Sequence, residues 1–437
     1  MAERLMGDSV ESDICIIGAG PAGLSAAVAA LERASSVTVV DENVHPGGQI
    51  WRHDQIKGEN PELRVLMNRL PRERVNLISS ATVIAAPAKG RLIAETPHGA
   101  TPISYQRLIL ATGARERFLP FPGWTLQNVT GVGGLQALVK GGLKIADQRI
   151  VIAGSGPLLL AVAAYLKQVG ARVVLIAEQA PRRRLIRFGL SLFSNPARLG
   201  QALTLKRQLS GIPYLTDCYP VAADGEDKVR RVILQQGAKI WQVECDYFAC
   251  SFHLLPNLEL ASLLNCGIEA GRVVVDNSQR TSEPDIYSAG EATGVGGLEL
   301  SILEGRIAGY MASGNLPGAA RLFRRRDRAR RFARLLDQTF ASTAVLRELP
   351  SDQTIVCRCE DVALGSLREH RSWKAAKLQS RCGMGPCQGR ICGPAVEMLL
   401  GWQPDSVRPP ALAARLDTLL LTAELAEGQN TQEWSKE

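Results

Sequence analysis

The run from Glu11 to Glu42, ESDICIIGAGPAGLSAAVAALERASSVTVVDE, constrains the fold more than any other part of the chain. Ile14 to Ile17 read as a buried strand. Gly18, Gly20 and Gly23 match GxGxxG, a helix follows from about Ala22 to Arg33, and Val37 to Val40 form the next strand. The first glycine allows a tight turn, the second close backbone approach to a pyrophosphate, and the third close packing of helix on strand. The helix N-terminus, with Pro21 and Ala22 in its first turn, offers unpaired N–H groups and a positive dipole end to phosphates. An acid is expected about 20 residues after the first glycine to bond a ribose. Asp41 takes that place, with Glu42 behind it as second choice. A parallel α/β sheet with a dinucleotide at its carboxyl edge follows.

A second copy begins at Arg149, QRIVIAGSGPLLLAVAAYLKQVGARVVLIAE, and it is degraded. Gly154 and Gly156 match, but Leu159 stands at the third glycine and Ala177 at the ribose acid. Leucine pushes a helix away from its strand, and alanine cannot hold a ribose. Glu178 could substitute, and the arginines of PRRRLIR (181–187) could grip a 2′-phosphate. The balance argues against NAD(P) and for a retained structural domain, or one that binds another adenine nucleotide.

With 437 residues the chain exceeds one hydrophobic core, so two or three domains are expected. No apolar run is long enough to span a bilayer, which leaves only peripheral membrane contact open. The polar, acidic leader before Ile14 lacks the basic n-region of a secretory signal, which predicts a cytoplasmic chain with reduced thiols. Half of the ten cysteines crowd into 357–392, so metal or redox work is expected of them. The formal charge of +8 owes much to RLFRRRDRARRFARLL (321–336). That run has few aromatics and no nucleic-acid motif near it, so it reads as a solvated basic helix that joins two domains or touches an acidic partner.

In TIVCRCEDV, Cys357 and Cys359 sit two apart after a β-branched run, and alternate strand residues face one side. The segment near Leu364 to Arg371 reads as helical. In RCGMGPCQGRICG, Cys382, Cys387 and Cys392 recur every five residues among glycines, which predicts a loop, since five-residue steps leave one helix face. Four thiolates suit zinc or a [2Fe–2S] cluster. The CxC and CxxxxC spacings depart from the CxxC pairs of zinc knuckles, and a redox cofactor upstream favours the cluster. Cys245 and Cys250 form no CxxC and read as buried strand residues, so disulfide reduction is not expected. His45 and His253 read as structural.

Further motifs resemble those of two-dinucleotide flavoprotein reductases. HPGGQIWR (45–52) carries Gly48 and Gln49 past the flavin, RLILATGARERFLPFPG brings Thr112 and Gly113 to the exit hinge, and SEPDIYSAGEATGVGG returns with Gly290 and Glu291 against the ribityl chain. Many relatives have Asp where this chain has Glu291. Nearly the whole sequence resembles the α subunit of heteromeric amino-acid dehydrogenases: opine oxidases, hydroxyproline and proline dehydrogenases, the hydrogen cyanide synthase flavoprotein subunit and, further off, the sarcosine oxidase α subunit.

The resemblance implies a Rossmann-like α/β flavoprotein with two dinucleotide-binding domains and a small C-terminal domain like the bacterioferritin-associated ferredoxin module. The implied parts are 1–120 (FAD, first part), 121–275 (degenerate NAD(P)-like), 276–318 (FAD, return), 319–349 (basic linker), 350–410 ([2Fe–2S]) and 411–437 (tail). It implies FAD at Gly18, Gly20, Pro21, Ala22, Gly23, Asp41, Glu42, Gly48, Gln49, Thr112, Gly113, Gly290 and Glu291. It implies a [2Fe–2S] cluster on Cys357, Cys359, Cys387 and Cys392, with Cys382 a bystander. Such relatives can also hold FMN at an interface with an amine-oxidase-like β subunit, and can have a small ferredoxin-like γ subunit. The activity implied is electron relay from a partner that oxidises an imino or secondary amino acid, with no catalytic base on this chain. An NAD(P)H-dependent reductase, a zinc-bearing scaffold and a glycine dehydrogenase subunit of the hydrogen cyanide synthase type are the other readings.

Overall fold

The computed structural model describes residues 9–55, 57–193, 196–403 and 407–433. They form two compact units, 9–115 with 255–333 and 407–433, and 116–254 with 334–403.

In the first unit, the parallel strands run Val75–Ile78, Val37–Val40, Val10–Ile17, Gly99–Leu110, and Ile286–Ser288 joins Gly99–Leu110 on its other side. An antiparallel extension, Arg91–Thr96 and Thr82–Ala88, widens the sheet. Ile14, Cys15 and Ile16 are buried on both faces, as an apolar run in a covered parallel sheet must be. The first helix, Pro21–Ala30, is half alanine and buried nearly all round. Its cover is the helix Gly297–Ala312, which comes close because it has glycine at the contacts. A Cβ on Gly305 would lie 2.1 Å from the Ala22 carbonyl oxygen, and one on Gly309 would lie 2.2 Å from that of Ala26. Helix propensity alone predicts that Gly309→Ala stabilises by about 1 kcal/mol. The clash reverses the sign, and we expect Gly309→Ala to lower stability by about 2 kcal/mol, read as a lower melting midpoint.

The basic run lies in the helix Leu316–Thr339 and is not simply solvated. Ala319, Leu322, Arg326, Ala329 and Ala333 recur at helical spacing and are buried. Arg326 donates to the Asn277 carbonyl, and Arg330 reaches Glu304 and Gln279. The helix Leu416–Glu433 packs Leu421 against Ile84 and Ile93, so part of the tail belongs to the first unit.

The second unit holds a parallel sheet in the order Tyr214–Thr216, Arg172–Glu178, Arg149–Ser155, Tyr247–Phe252, Val129–Gly131. Leu159, at the third glycine position, is fully buried and joins a core with Val132, Ile150 and Ile152. Cys250 lies on the strand Tyr247–Phe252 and, like Cys245, is buried. The cysteine segment has its own small core around Val356, Leu367, Trp373 and Val396. It also packs Ile391 and Met398 on the Leu119, Phe121 and Trp124 cluster, which is why it shares a unit with the second sheet. Among the described residues no helix is long and apolar enough to cross a membrane.

Candidate functional site

Strand register gathers the first set of site residues. Ile17 pairs with Val40 and with Leu110, and Leu110 with Ser288, so the loops after all four strands emerge at one edge. Gly18 has φ +105°, and a Cβ there would meet the Ala111 carbonyl oxygen at 2.3 Å. Gly23 would strike the Gly18 oxygen at 1.8 Å. Gly48 lies over Gly20, where its Cβ would come 2.9 Å from the Gly20 Cα, and the Gly47 amide donates to the Ala19 carbonyl at 2.8 Å. Gly20 precedes the helix, no side chain caps it, and Pro21 follows. The amide groups of the first turn therefore remain available to an anion.

Asp41 does not point away from this loop. Its Oδ2 accepts from the Ala19 amide at 2.5 Å, and Oδ1 accepts from the Asn43 amide and side chain at 2.7 and 2.8 Å. The expected ribose acid thus braces the glycine turn, and Glu42 beside it is exposed. Two residues not anticipated are Asn43 and Arg52, the Arg52 guanidinium donating to the Asn43 side chain at 3.4 Å. The Arg52 guanidinium donates to Gln49 at 2.9 Å, while its Nε is buried with no acceptor among the described residues. Thr112 and Gly113 are clamped by Asn257, whose side chain donates to the Thr112 carbonyl and whose amide donates to that of Gly113. Gly290, at φ +75°, lies against Ala22. The Gly290 amide and the Thr293 hydroxyl both donate to Glu304, a buried carboxylate held by Arg330. Glu291 is half-buried, and desolvation pushes its carboxyl above the usual range. An open helix N-terminus at Gly20, where an added Cβ would meet nothing closer than 3.8 Å, and a buried arginine nitrogen without an acceptor among the described residues fit a bound dinucleotide diphosphate.

The corresponding edge of the second sheet is filled by the protein itself. Glu178 is buried, and its two oxygens accept from the amides of Gly156 and Ala180, each at 2.8 Å. It is therefore not placed to bond a ribose as a substitute for Ala177. The Ser155 hydroxyl donates to the Phe340 carbonyl at 2.8 Å, and the Gln179 side chain donates to that of Ala341 at 3.1 Å. Thr343 returns its amide and hydroxyl to Gln179. Phe340 stands edge-on to Phe188, with ring centroids 5.5 Å apart. Residues 340–343 thus strap the strand ends, and Arg184 is turned toward the Ala341 carbonyl at 3.4 Å.

Burial pushes the Glu178 carboxyl up to about 7 against the pull of its two amide bonds. Between the ordinary value of 4.5 and about 7, the folded state holds a proton that the unfolded chain has released. Stability from this group is therefore complete below that window and lost as pH rises through it. We expect Glu178→Gln to flatten the fall of stability between pH 5 and 8, removing about 3 kcal/mol of pH dependence in all, read from melting midpoints across that range.

The third set is the cysteines. Cys357 ends the strand Ile355–Cys357, Cys359 is in the turn after it, and Cys387 lies in the glycine loop. Cys392, expected on the loop, instead opens the helix Cys392–Leu400. The sulfurs of Cys357, Cys382 and Cys392 lie within 4.8 Å of one another, and those of Cys359 and Cys387 are 3.8 Å apart. A cavity of about 370 Å³ is lined by Cys357, Cys359, Cys387 and Cys392 together with Phe118, Trp124, Arg358 and Ile391. Cys382 is fully buried and is not part of that lining. Thiols of Cys382 and Cys392, with the Gly383 and Glu360 amides, hold Cys357 down at about 2, and Cys382 is pushed up to about 12. Gly385 is required for close approach, since a Cβ there would lie 2.2 Å from that of Cys359. Trp124, for which the sequence held no signal of a role, donates from its indole to the Ile355 carbonyl at 2.6 Å and walls the cavity. An all-sulfur donor set suits a soft metal centre.

Residues 12–311 match the family described as pyridine nucleotide-disulphide oxidoreductase. Among the opine oxidase A subunits, that of Rhizobium meliloti (strain 1021) is 32% identical to this chain, over 91% of this chain and 96% of that protein. The chain is 29% identical to hydrogen cyanide synthase subunit HcnB of Pseudomonas protegens, over 86% and 89%. The crystal structure of L-proline dehydrogenase from P. horikoshii superposes with a TM-score of 0.66 at 17% identity, covering 95% of this chain and 80% of that one. That last likeness concerns the fold. The chain is an FAD-binding oxidoreductase of the pyridine nucleotide-disulphide oxidoreductase family, grouped with the A subunits of opine oxidases and the HcnB subunits of hydrogen cyanide synthases.

Proposed function

We propose that this chain is the electron-transfer subunit of a heteromeric dehydrogenase acting on an imino or secondary amino acid of the hydroxyproline, proline or opine type. The observation that carries the reading is the cavity lined by Cys357, Cys359, Cys387 and Cys392, in a chain that also has an open dinucleotide edge. Bound FAD would supply two-electron chemistry and a [2Fe–2S] cluster one-electron transfer, so the pair would match a hydride donor to a one-electron acceptor. The protein's part is to hold both. The amides after Gly20 and the Arg52 side chain take the diphosphate, Glu42 takes the ribose in place of the inward-turned Asp41, and Gln49, Thr112, Gly113, Gly290 and Glu291 border the flavin. The four cavity cysteines take the cluster, while Trp124 and Phe118 keep water from it.

The named relatives are subunits of larger enzymes, which supports an amine-oxidase-like β subunit, and a small ferredoxin-like γ subunit fits the same scheme. Interfacial FMN and a cytoplasmic location belong to the proposal. A glycine dehydrogenase of the hydrogen cyanide synthase type would use this chain in the same way, with substrate choice in the partner. The NAD(P)H-reductase reading is disfavoured by the strap at 340–343 and by Glu178 on the Gly156 amide. The isolated chain is expected to bind flavin and iron and to leave hydroxyproline, proline and opines untouched until the partner is added, with the flavin unbleached by NADH or NADPH. Turnover of an amino acid by the isolated chain would overturn the assignment.

A further inference from the structure

The helix Arg182–Leu192 presents an unusual surface. Its inner side is anchored by Leu192, which is buried, and by the half-buried Leu185 and Phe188. On the outer side Ile186, Leu190 and Phe193 are 53%, 63% and 69% exposed. At 3.6 residues per turn these three fall within about 60° of the helix circumference, so they form one apolar stripe. Arg182 and Arg183 flank it closely, and Arg187 stands a little further round. Leu203, on the following helix Pro196–Gln208, is also 58% exposed.

Along the chain the charge around the stripe is of one sign, and the carboxylate at the helix start, Asp217, accepts from the Arg182 amide at 3.0 Å. Between Gln179 and Thr216 the chain has seven arginines and lysines and no aspartate or glutamate. Over the whole chain the excess is only +8, so this stretch is far more basic than the chain as a whole. We propose that the Arg182–Leu192 helix and Phe193 dock the protein on an anionic lipid surface. A short helix lying in the interface buries an apolar stripe in the acyl boundary while flanking arginines extend to the headgroups. Anionic lipid supplies the countercharge that the acid-free stretch lacks. The sequence pattern in 181–187 that could have gripped a 2′-phosphate thereby finds another anionic phosphate ligand. The inference does not depend on the redox assignment.

The test is flotation of the full-length chain with vesicles of phosphatidylcholine and phosphatidylglycerol at equal parts, against vesicles of phosphatidylcholine alone. The wild type is expected to float with the first and stay below with the second. The variant Ile186→Ser/Leu190→Ser/Phe193→Ser should partition at least about 100-fold less, because three exposed apolar side chains no longer insert. Arg183→Gln/Arg187→Gln should partition about 30-fold less. All three chains should show the same thermal unfolding, since the altered side chains are exposed. The proposal fails if the wild type ignores anionic vesicles, if it floats equally on neutral ones, or if either variant floats as the wild type does. It also fails if the triple variant loses a co-expressed partner subunit while the wild type never floats, which would make the stripe a protein interface.

Discussion

Serine at Cys387 is expected to strip the iron from the protein, and serine at Cys382 to leave it in place. Purified without oxygen, the wild type should carry two irons and two acid-labile sulfides per chain, with visible absorbance beyond that of flavin. Cys387→Ser should fall below a tenth of that iron content while keeping its flavin, since Cys387 lies in the unit that does not hold the first dinucleotide edge. Cys382 is the sterner comparison, because its sulfur sits with those of Cys357 and Cys392. Proximity alone would make it a ligand. The cavity argues otherwise: Cys382 is enclosed behind Cys357 and Cys392, and no part of it lines the space a cluster would fill. Its hydroxyl replacement can still donate to the Cys357 sulfur, as the Cys382 thiol does. Retained iron in Cys387→Ser together with lost iron in Cys382→Ser would reverse the ligand set. Zinc without iron in the wild type would replace the redox centre by a structural one.

The contrast between these cysteines shows how far sequence reaches. Strand, glycine turn and helix at the start of the chain were legible because every signal lies within one local βαβ unit, and the observed strand Val10–Ile17 and helix Pro21–Ala30 follow from it. Asp41 was legible by its place but not by its bonds to the glycine turn. Its position at the end of Val37–Val40 is local, whereas its bond to the Ala19 amide depends on how two loops meet 22 residues apart. Sequence alone leaves the basic helix solvated because the groups that pair with its arginines are distant: Glu304 is 26 residues from Arg330 and Asn277 is 49 from Arg326. The strap had no local signature at all. Thr343 and Gln179 are 164 residues apart, and neither belongs to a motif. Leu159 and Ala177 did announce a weakened nucleotide edge, since a missing glycine and a missing acid are visible one residue at a time.

Valine at Gly20 should abolish FAD binding while the chain remains folded. The neighbouring glycines cannot make this test, because a side chain at Gly18 or Gly23 would collide with backbone oxygens of the protein itself, and any loss of flavin would follow from misfolding. Gly20 is different. Its backbone, at φ −76° and ψ −175°, lies in the extended region that suits a β-branched residue, and the nearest atom to an added Cβ is the Gly48 Cα at 3.8 Å. At the Cβ itself the protein gives no steric reason for glycine there, and the helix-capping preference is worth about 1 kcal/mol. The remaining reason is the space over the helix N-terminus, which a diphosphate needs and two γ-methyls would occupy. Flavin content after purification should fall below a tenth of the wild-type value. Measured on flavin-free protein, the melting midpoints of Gly20→Val and wild type should differ only by that small capping loss. A variant that keeps its flavin would show that the diphosphate does not pass over Gly20, and the dinucleotide edge would have to be placed elsewhere.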